Sequence, residues 1–274
     1  MSRKVAFLGG GKMGEALISG LLRGGGRSAE EIMVTVRREE RAKELEERYG
    51  VQTSLSNAEA AEWADVLVLS VKPQDMEQLL EQLDGSVTGD LVVSIAAGIR
   101  TGFIEKRLPE GVPVVRVMSN VAVEVDEAMS AISAGTHAED KHLAVAEELL
   151  SSVGKVIRLA ETYQDGVTAL SGSGPAYFFL LAEAMIDSGI LLGMPRDVAT
   201  DLIIQTMVGS AKMLRDTGKH PVELREMVTS PGGTTIVAIK HLEQAGIRAA
   251  FLNAIDAARD RSAELAKGDE AETI

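Results

Sequence analysis

Two glycine turns near opposite ends of the chain hold the residues best suited to chemistry. Gly9-Gly10-Gly11-Lys12-Met13-Gly14 follows a short apolar run and opens a helical pattern, and Gly9, Gly11 and Gly14 have the G-x-G-x-x-G spacing of a dinucleotide-binding loop. Such a loop turns tightly and lets backbone approach a pyrophosphate. It also leaves the first N–H groups of the next helix, with the positive end of its dipole, facing an anion. Lys12 and Met13 stand at that helix start, within reach of the same ligand. Ser230-Pro231-Gly232-Gly233-Thr234-Thr235 repeats the device late in the chain, where hydroxyls and N–H groups suit a carboxylate. Taken alone, Ser or Thr ahead of a helix is more often its cap, so local sequence favours a capped helix over a ligand site.

Other residues extend the first site. The second β-branched run ends at Val36 with no acidic residue to take a ribose 2′-hydroxyl, and Arg37-Arg38 follows instead. Two guanidiniums suit a 2′-phosphate, which favours NADP (as NADPH) over NAD; the alternative is that Arg37, Arg38 and Arg41 pair with Glu39 and Glu40 on a solvated face. Val71-Lys72-Pro73 closes another strand at the end where ligands sit in open α/β sheets, so Lys72 either lines the cofactor cleft or is a surface lysine ahead of a helix. Ser94-Ile95-Ala96-Ala97-Gly98 ends the next strand with small residues, for close approach of a flat ring or for compact packing. His137, His142, His220 and His241 form no metal-ligand spacing and read as surface or packing residues, so no metal is expected.

The helices and strands needed to position these residues are legible in the pattern. Strand-like runs at 4–8, 32–36, 65–71, 91–95 and 112–117 alternate with helical patterns at 13–22, 39–49, 74–83 and 101–108. Two further strands, 128–134 and 153–159, flank a helix over 138–152. This alternation predicts a Rossmann-type, doubly wound and mostly parallel α/β sheet over residues 1–160. Beyond it come helical patterns at 175–192, 195–217, 221–228, 234–245 and 247–267, which make residues 161–274 an all-α domain, with a frayed acidic tail over 268–274. Apolar residues such as Phe178, Phe179, Leu180, Leu181, Met185 and Ile190 fall on more than one helical face, as a dimerisation domain would need.

Composition narrows the partners. A formal charge of −13 and 3% aromatic residues disfavour nucleic acid and anionic membranes, leaving a small-molecule substrate. With no cysteine, disulfides and thiolate chemistry are excluded. The sequence shows no run of 18 apolar residues and no signal-like start, so a cytoplasmic protein that does not enter membranes is expected.

The chain closely resembles the pyrroline-5-carboxylate reductase family over essentially its whole length. The most specific block is 224–235, Leu-Arg-Glu-Met-Val-Thr-Ser-Pro-Gly-Gly-Thr-Thr, followed by Ala238-Ile239 and Leu242-Glu243. Supporting it in the family's order are the 7–14 loop, Val71-Lys72-Pro73-Gln74, 94–98, and Ser171-Gly172-Ser173-Gly174-Pro175-Ala176-Tyr177. The resemblance implies hydride transfer from NAD(P)H to the C=N carbon of 1-pyrroline-5-carboxylate, giving L-proline. It also implies a homodimer interlocked through the helical domain, with dimers sometimes assembling into rings. Carried over to this chain, Ser230, Gly232, Gly233, Thr234 and Thr235 hold the substrate carboxylate, and the Thr235 hydroxyl bonds the ring nitrogen. A protonated imine is already electrophilic, so positioning matters more than a strong acid.

One departure stands out. The family has Met-x-Asn-Thr-Pro near the nicotinamide, whereas Met118-Ser119-Asn120 continues here as Val121-Ala122, keeping Asn120 but losing a hydroxyl and a rigid proline. That substitution predicts a looser pocket edge and leaves two other functions open: an NADP-binding regulatory paralogue without catalysis, or a reductase of a related cyclic imine or hydroxy acid. Against the hydroxy-acid reading, 171–181 lacks the lysine that such dehydrogenases use.

Overall fold

Short, almost wholly apolar runs make the centre of an eight-stranded sheet: β1 (Val5–Leu8), β2 (Ile32–Thr35), β3 (Gln52–Ser54), β4 (Val66–Leu69), β5 (Leu91–Ser94), β6 (Val114–Met118), β7 (Ala128–Ala134) and β8 (Gly154–Arg158). The structure is a computed structural model and describes residues 3–83, 85–87 and 91–271. Strand order is β3-β2-β1-β4-β5-β6-β7-β8. All neighbours are parallel except β6 and β7, whose link over 119–127 is too short for a crossover helix. β1, β2, β4 and β5 are buried at every residue, as strands covered on both faces must be.

Alternate residues of β1 serve opposite faces. Val5 and Phe7 pack with Leu17 and Ile18 of α1 (Lys12–Arg23), Leu45 of α2 (Glu39–Tyr49) and Leu149 of the helix Asp140–Ser151. Ala6 and Leu8 pack with Ala60 of α3 (Asn57–Trp63), Leu80 of α4 (Met76–Gln82) and Ile104 of α5 (Thr101–Glu105). Sequence pattern alone had not marked β3 or α3. β3 is a polar edge strand defined by backbone pairing to Met33, Val34 and Thr35, and α3 is a single short helix capped by Ser56, which accepts from the Glu59 N–H.

The chain forms two compact units, one of Met1–Ser173 with Ala258–Ile274 and the other of Gly174–Ala257. Composition changes near residue 160, where the β-branched runs end, but residues up to 173 belong to the sheet unit through buried polar contacts. Arg116 pairs with Glu161 at 3.2 Å, and Gln164, fully buried, donates to the Ala131 carbonyl at 3.2 Å and to Ser133 Oγ at 2.8 Å. Ser262 Oγ donates to Asp165 Oδ1 at 2.7 Å, tying in the last helix.

The second unit contains the long helices Gly174–Leu191 and Arg196–Thr217, the short Pro221–Met227, the helix Thr234–Gln244 and the first part of Ile247–Ala271. Of the tail expected to fray, 268–271 continues the last helix and 272–274 lie outside the described residues. Phe178, Phe179 and Leu180 are 61–68% exposed. The continuous helical stretch Glu161–Leu191 has the length and composition of a bilayer-crossing helix, with a mean hydropathy of 1.2 over its most apolar window.

Candidate active site

The glycine loop lies where β1 runs into α1, at the switch point between β1 and β4. Its glycines have different physical reasons. Gly9 sits at φ +114°, and a Cβ there would lie 3.0 Å from the Ser70 carbonyl. At Gly14 a Cβ would lie 2.9 Å from the Gly9 carbonyl, so this residue lets α1 close onto the loop. Gly11 differs: its Cβ would meet only the Ser70 carbonyl, at 3.9 Å, and it starts α1 with no side-chain cap. The fold does not need a glycine at 11; the open space in front of it does.

Polar side chains fix the loop from both sides. The Gly9 N–H donates to Thr35 Oγ1 at 3.1 Å, Thr35 donates to Asn57 Oδ1 at 2.6 Å, and Ser70 Oγ donates to the Gly9 carbonyl at 2.7 Å. Arg41 donates to the Gly10 carbonyl and to Glu15, and Glu15 also accepts from Arg48 and the Tyr49 hydroxyl, each at 2.9 Å. Burial alone would raise the Glu15 carboxyl, but Arg41, Tyr49 and Arg48 together hold it below its ordinary value.

Beside the loop opens a cavity of about 770 Å³, whose lining includes Gly9, Gly11, Arg37, Arg38, Val71 and Lys72 among the residues expected from sequence. The anticipated pairing of the arginines with Glu39 and Glu40 is not what forms. Arg37 pairs with Asp75 at 2.9 Å and Arg41 with Glu15 and Glu44, while among the described residues Arg38 and Lys72 have no ion-pair partner. Thr35, Leu55, Asn57 and Ser70 also line the cavity, and sequence reasoning missed them. Thr35 and Ser70 were hidden because each simply closes a strand, and Asn57 because its helix was not anticipated.

Other expected residues lie outside that cavity. Lys12 is exposed at the first turn of α1, Met13 is half-buried, and Pro73 begins the turn Pro73–Asp75. In the 94–98 segment Ala97 is exposed, Ala96 is buried, and Gly98 faces Leu265 and Ala266 of the last helix. Asn120 caps a 3₁₀ turn, Val121–Val125, by accepting from the Ala122 N–H at 3.2 Å. Its Nδ2 donates to the Ser171 carbonyl at 3.2 Å, in the π-helical turn Thr168–Gly172. The Ala122 N–H that a proline would lack thus holds Asn120 in place, and the edge expected to be loose is closed by hydrogen bonds. Among the described residues no group of three or more His, Asp or Glu could hold a metal ion.

In the helical unit, Gly232 adopts φ +70°, the Gly233 N–H donates to the Ser230 carbonyl at 3.1 Å, and Gly233 starts the helix Thr234–Gln244. Its N-cap is Gly233, and among the described residues no side-chain cap is made, so the Ser or Thr cap favoured by local sequence does not form. Thr235 is half-buried in its first turn, while Ser230, Gly232 and Thr234 are exposed.

A family model described as pyrroline-5-carboxylate reductase dimerisation matches residues 161–265, and one described as NADP oxidoreductase, coenzyme F420-dependent, matches residues 4–98. The pyrroline-5-carboxylate reductase of Corynebacterium melassecola is 45% identical over 267 residues, covering 96% of this chain and 98% of that protein. The chain belongs to the pyrroline-5-carboxylate reductase family. The pyrroline-5-carboxylate reductase of Methanosarcina acetivorans is 46% identical, covering 97% of this chain and 99% of its own. Among solved structures, a pyrroline-5-carboxylate reductase from Coxiella burnetii has a TM-score of 0.91 at 36% identity, covering 97% of this chain and 99% of that one. The Plasmodium falciparum pyrroline carboxylate reductase, solved with NADP bound, has a TM-score of 0.88 at 27% identity, covering 96% of this chain and 98% of that one. For a pyrroline-5-carboxylate reductase, this chain's own residues fit a dinucleotide: a helix start with no side-chain cap, open space at Gly11 and Arg38, without an ion-pair partner among the described residues, converge on one cavity.

Proposed function

We propose that this protein reduces 1-pyrroline-5-carboxylate to L-proline, preferring NADPH to NADH. The observation that carries the substrate is the bare start of the helix Thr234–Gln244, whose first N–H groups are left by Gly233 without a side-chain cap and so await an anion. Ser230, Gly232, Gly233, Thr234 and Thr235 hold the substrate carboxylate, and the Thr235 hydroxyl orients the ring nitrogen. The dinucleotide, when bound, supplies hydride to the C=N carbon. Residues of the sheet unit then have binding and orienting tasks. Gly9, Gly11, Lys12, Met13 and Gly14 receive the pyrophosphate, Arg37 and Arg38 the 2′-phosphate, Val71, Lys72 and Pro73 flank the cleft, and Ala96, Ala97, Gly98 and Asn120 border the nicotinamide. With no metal cluster or His-Asp pair called for, catalysis rests on orientation and on keeping the imine protonated.

By function, residues 1–160 supply dinucleotide binding and 161–274 supply substrate binding and dimerisation, with 161–173 and 258–274 of the latter packed in the sheet unit. The apolar stretch Glu161–Leu191 falls wholly within the part matched by the dimerisation model, which supports a partner subunit rather than lipid as its cover. The protein then works as a cytoplasmic homodimer, with rings of dimers as the larger assembly. Following NADPH absorbance with 1-pyrroline-5-carboxylate, and separately with a 3-keto acid, tests the activity. Turnover of the imine alone is expected, faster with NADPH than with NADH. Nucleotide binding without turnover of any cyclic imine would instead favour a regulatory paralogue.

A further inference from the structure

The ion pair between Arg37 and Asp75 bridges two separate edges of the nucleotide cavity. Arg37 follows β2 and Asp75 ends the turn after β4, and these strands flank β1, whose end carries the glycine loop. The Nη2 to Oδ1 distance is 2.9 Å, with the arginine side chain 73% and the aspartate 32% exposed. The neighbouring Arg38 lines the same cavity with no ion-pair partner among the described residues. Two adjacent guanidiniums therefore meet an incoming ligand in different states: one free, the other already held by a carboxylate.

We propose that Asp75 is a specificity-determining residue, acting as a latch that a 2′-phosphate must displace from Arg37. This rests on the NADPH reading above. A phosphate dianion can replace a carboxylate on a guanidinium fork, since both offer paired oxygens to the same N–H groups. Displacement costs the pair's own stabilisation, and the released aspartate, partly exposed, turns to solvent. A ribose 2′-hydroxyl cannot compete for the fork, so NADH binds with the latch closed. Asp75 thus lowers the affinity for the phosphorylated dinucleotide while leaving NADH untouched, and sets how far the two differ. Because the pair is solvent-exposed, its influence is modest and weakens with salt.

The test is equilibrium titration of the full-length, assembled protein with NADPH and with NADH, followed by nucleotide fluorescence. Asp75→Asn should tighten NADPH about two- to fivefold and leave NADH unchanged. In an Arg37→Ala background the same substitution should give no gain, because nothing is left to latch. Asp75→Ser repeats the comparison with a second side chain suited to a turn. A gain that persists without Arg37 would overturn the latch in favour of direct repulsion between carboxylate and phosphate. Weakened NADH binding in Asp75→Asn would overturn it too, showing a carboxylate that accepts from the ribose hydroxyl. Unsubstituted protein that binds NADH better than NADPH, or neither, would remove the NADPH reading and the latch with it, and that result is read before any variant is made.

Discussion

Glu15 shows how one side chain serves both stability and site. It gathers Arg41, Arg48 and Tyr49 behind the glycine loop, and Arg41 in turn holds the Gly10 carbonyl. Its folded-state pKa is lowered, so its stabilisation is fully present above the unfolded value of about 4.3 and is lost as pH falls through the folded value. Glu15→Gln should cost about 1–3 kcal/mol at neutral pH. In denaturant titrations over pH 3–7 the gap to the unsubstituted protein should close on the acid side; a gap that widens on acidification would contradict this assignment. At the loop itself the glycines separate fold from ligand. Gly11→Ala should change stability by no more than about 1 kcal/mol yet weaken NADPH about tenfold, roughly 1.4 kcal/mol. Gly14→Ala should lose both, because its Cβ would press on the Gly9 carbonyl. Equal melting temperatures for the two variants would refute the distinction.

Between elements, the connection from β6 to β7 decides whether the Val121-Ala122 departure matters. A sequence that lacks the family's proline suggests a slack edge, since proline fixes φ. In the structure Asn120 takes over: it accepts from the Ala122 N–H and donates to the π-helical turn that contains Ser171. π turns inside helices recur at functional sites, and this one lies close to β6, with Gly172 leaving room for the Met118 side chain. Asn120→Ala should cost about 1 kcal/mol as a lost cap, lowering the melting temperature by about 2–4 °C, and should reduce kcat more than it changes the NADPH dissociation constant. Unaltered kcat would show that this tie has no part in turnover.

For the whole molecule, the helical unit is the part that cannot be understood as a single chain. Phe179 and Leu180 are 65% and 68% exposed, within the part matched by the dimerisation model. A glutamate at Phe179 would have to be desolvated in any subunit interface. Phe179→Glu is therefore expected to raise the dimer dissociation constant about a hundredfold, roughly 2.8 kcal/mol, with a matching loss of activity at low protein concentration. Light scattering on size-fractionated samples would check it, and a variant still dimeric at nanomolar concentration would move the interface elsewhere.

Sequence by itself determined the α/β alternation, the glycine loop and the helical second half, because each is written in local periodicity: buried runs, turn residues and 3.6-residue repeats. It also pointed to Arg37 and Arg38, since strand ends face the ligand in such sheets. Tertiary structure alone decided which residues meet. Polar edge strand β3 exists through backbone pairing to β2, and Thr35, Asn57 and Ser70 become site residues only when three separate strand ends converge. The same holds for Asp75 taking Arg37, Glu15 taking Arg41 and Asn120 compensating for a missing proline. Hydrogen bonds and ion pairs act over a few ångströms in space whatever the distance along the chain, and periodicity carries no record of them.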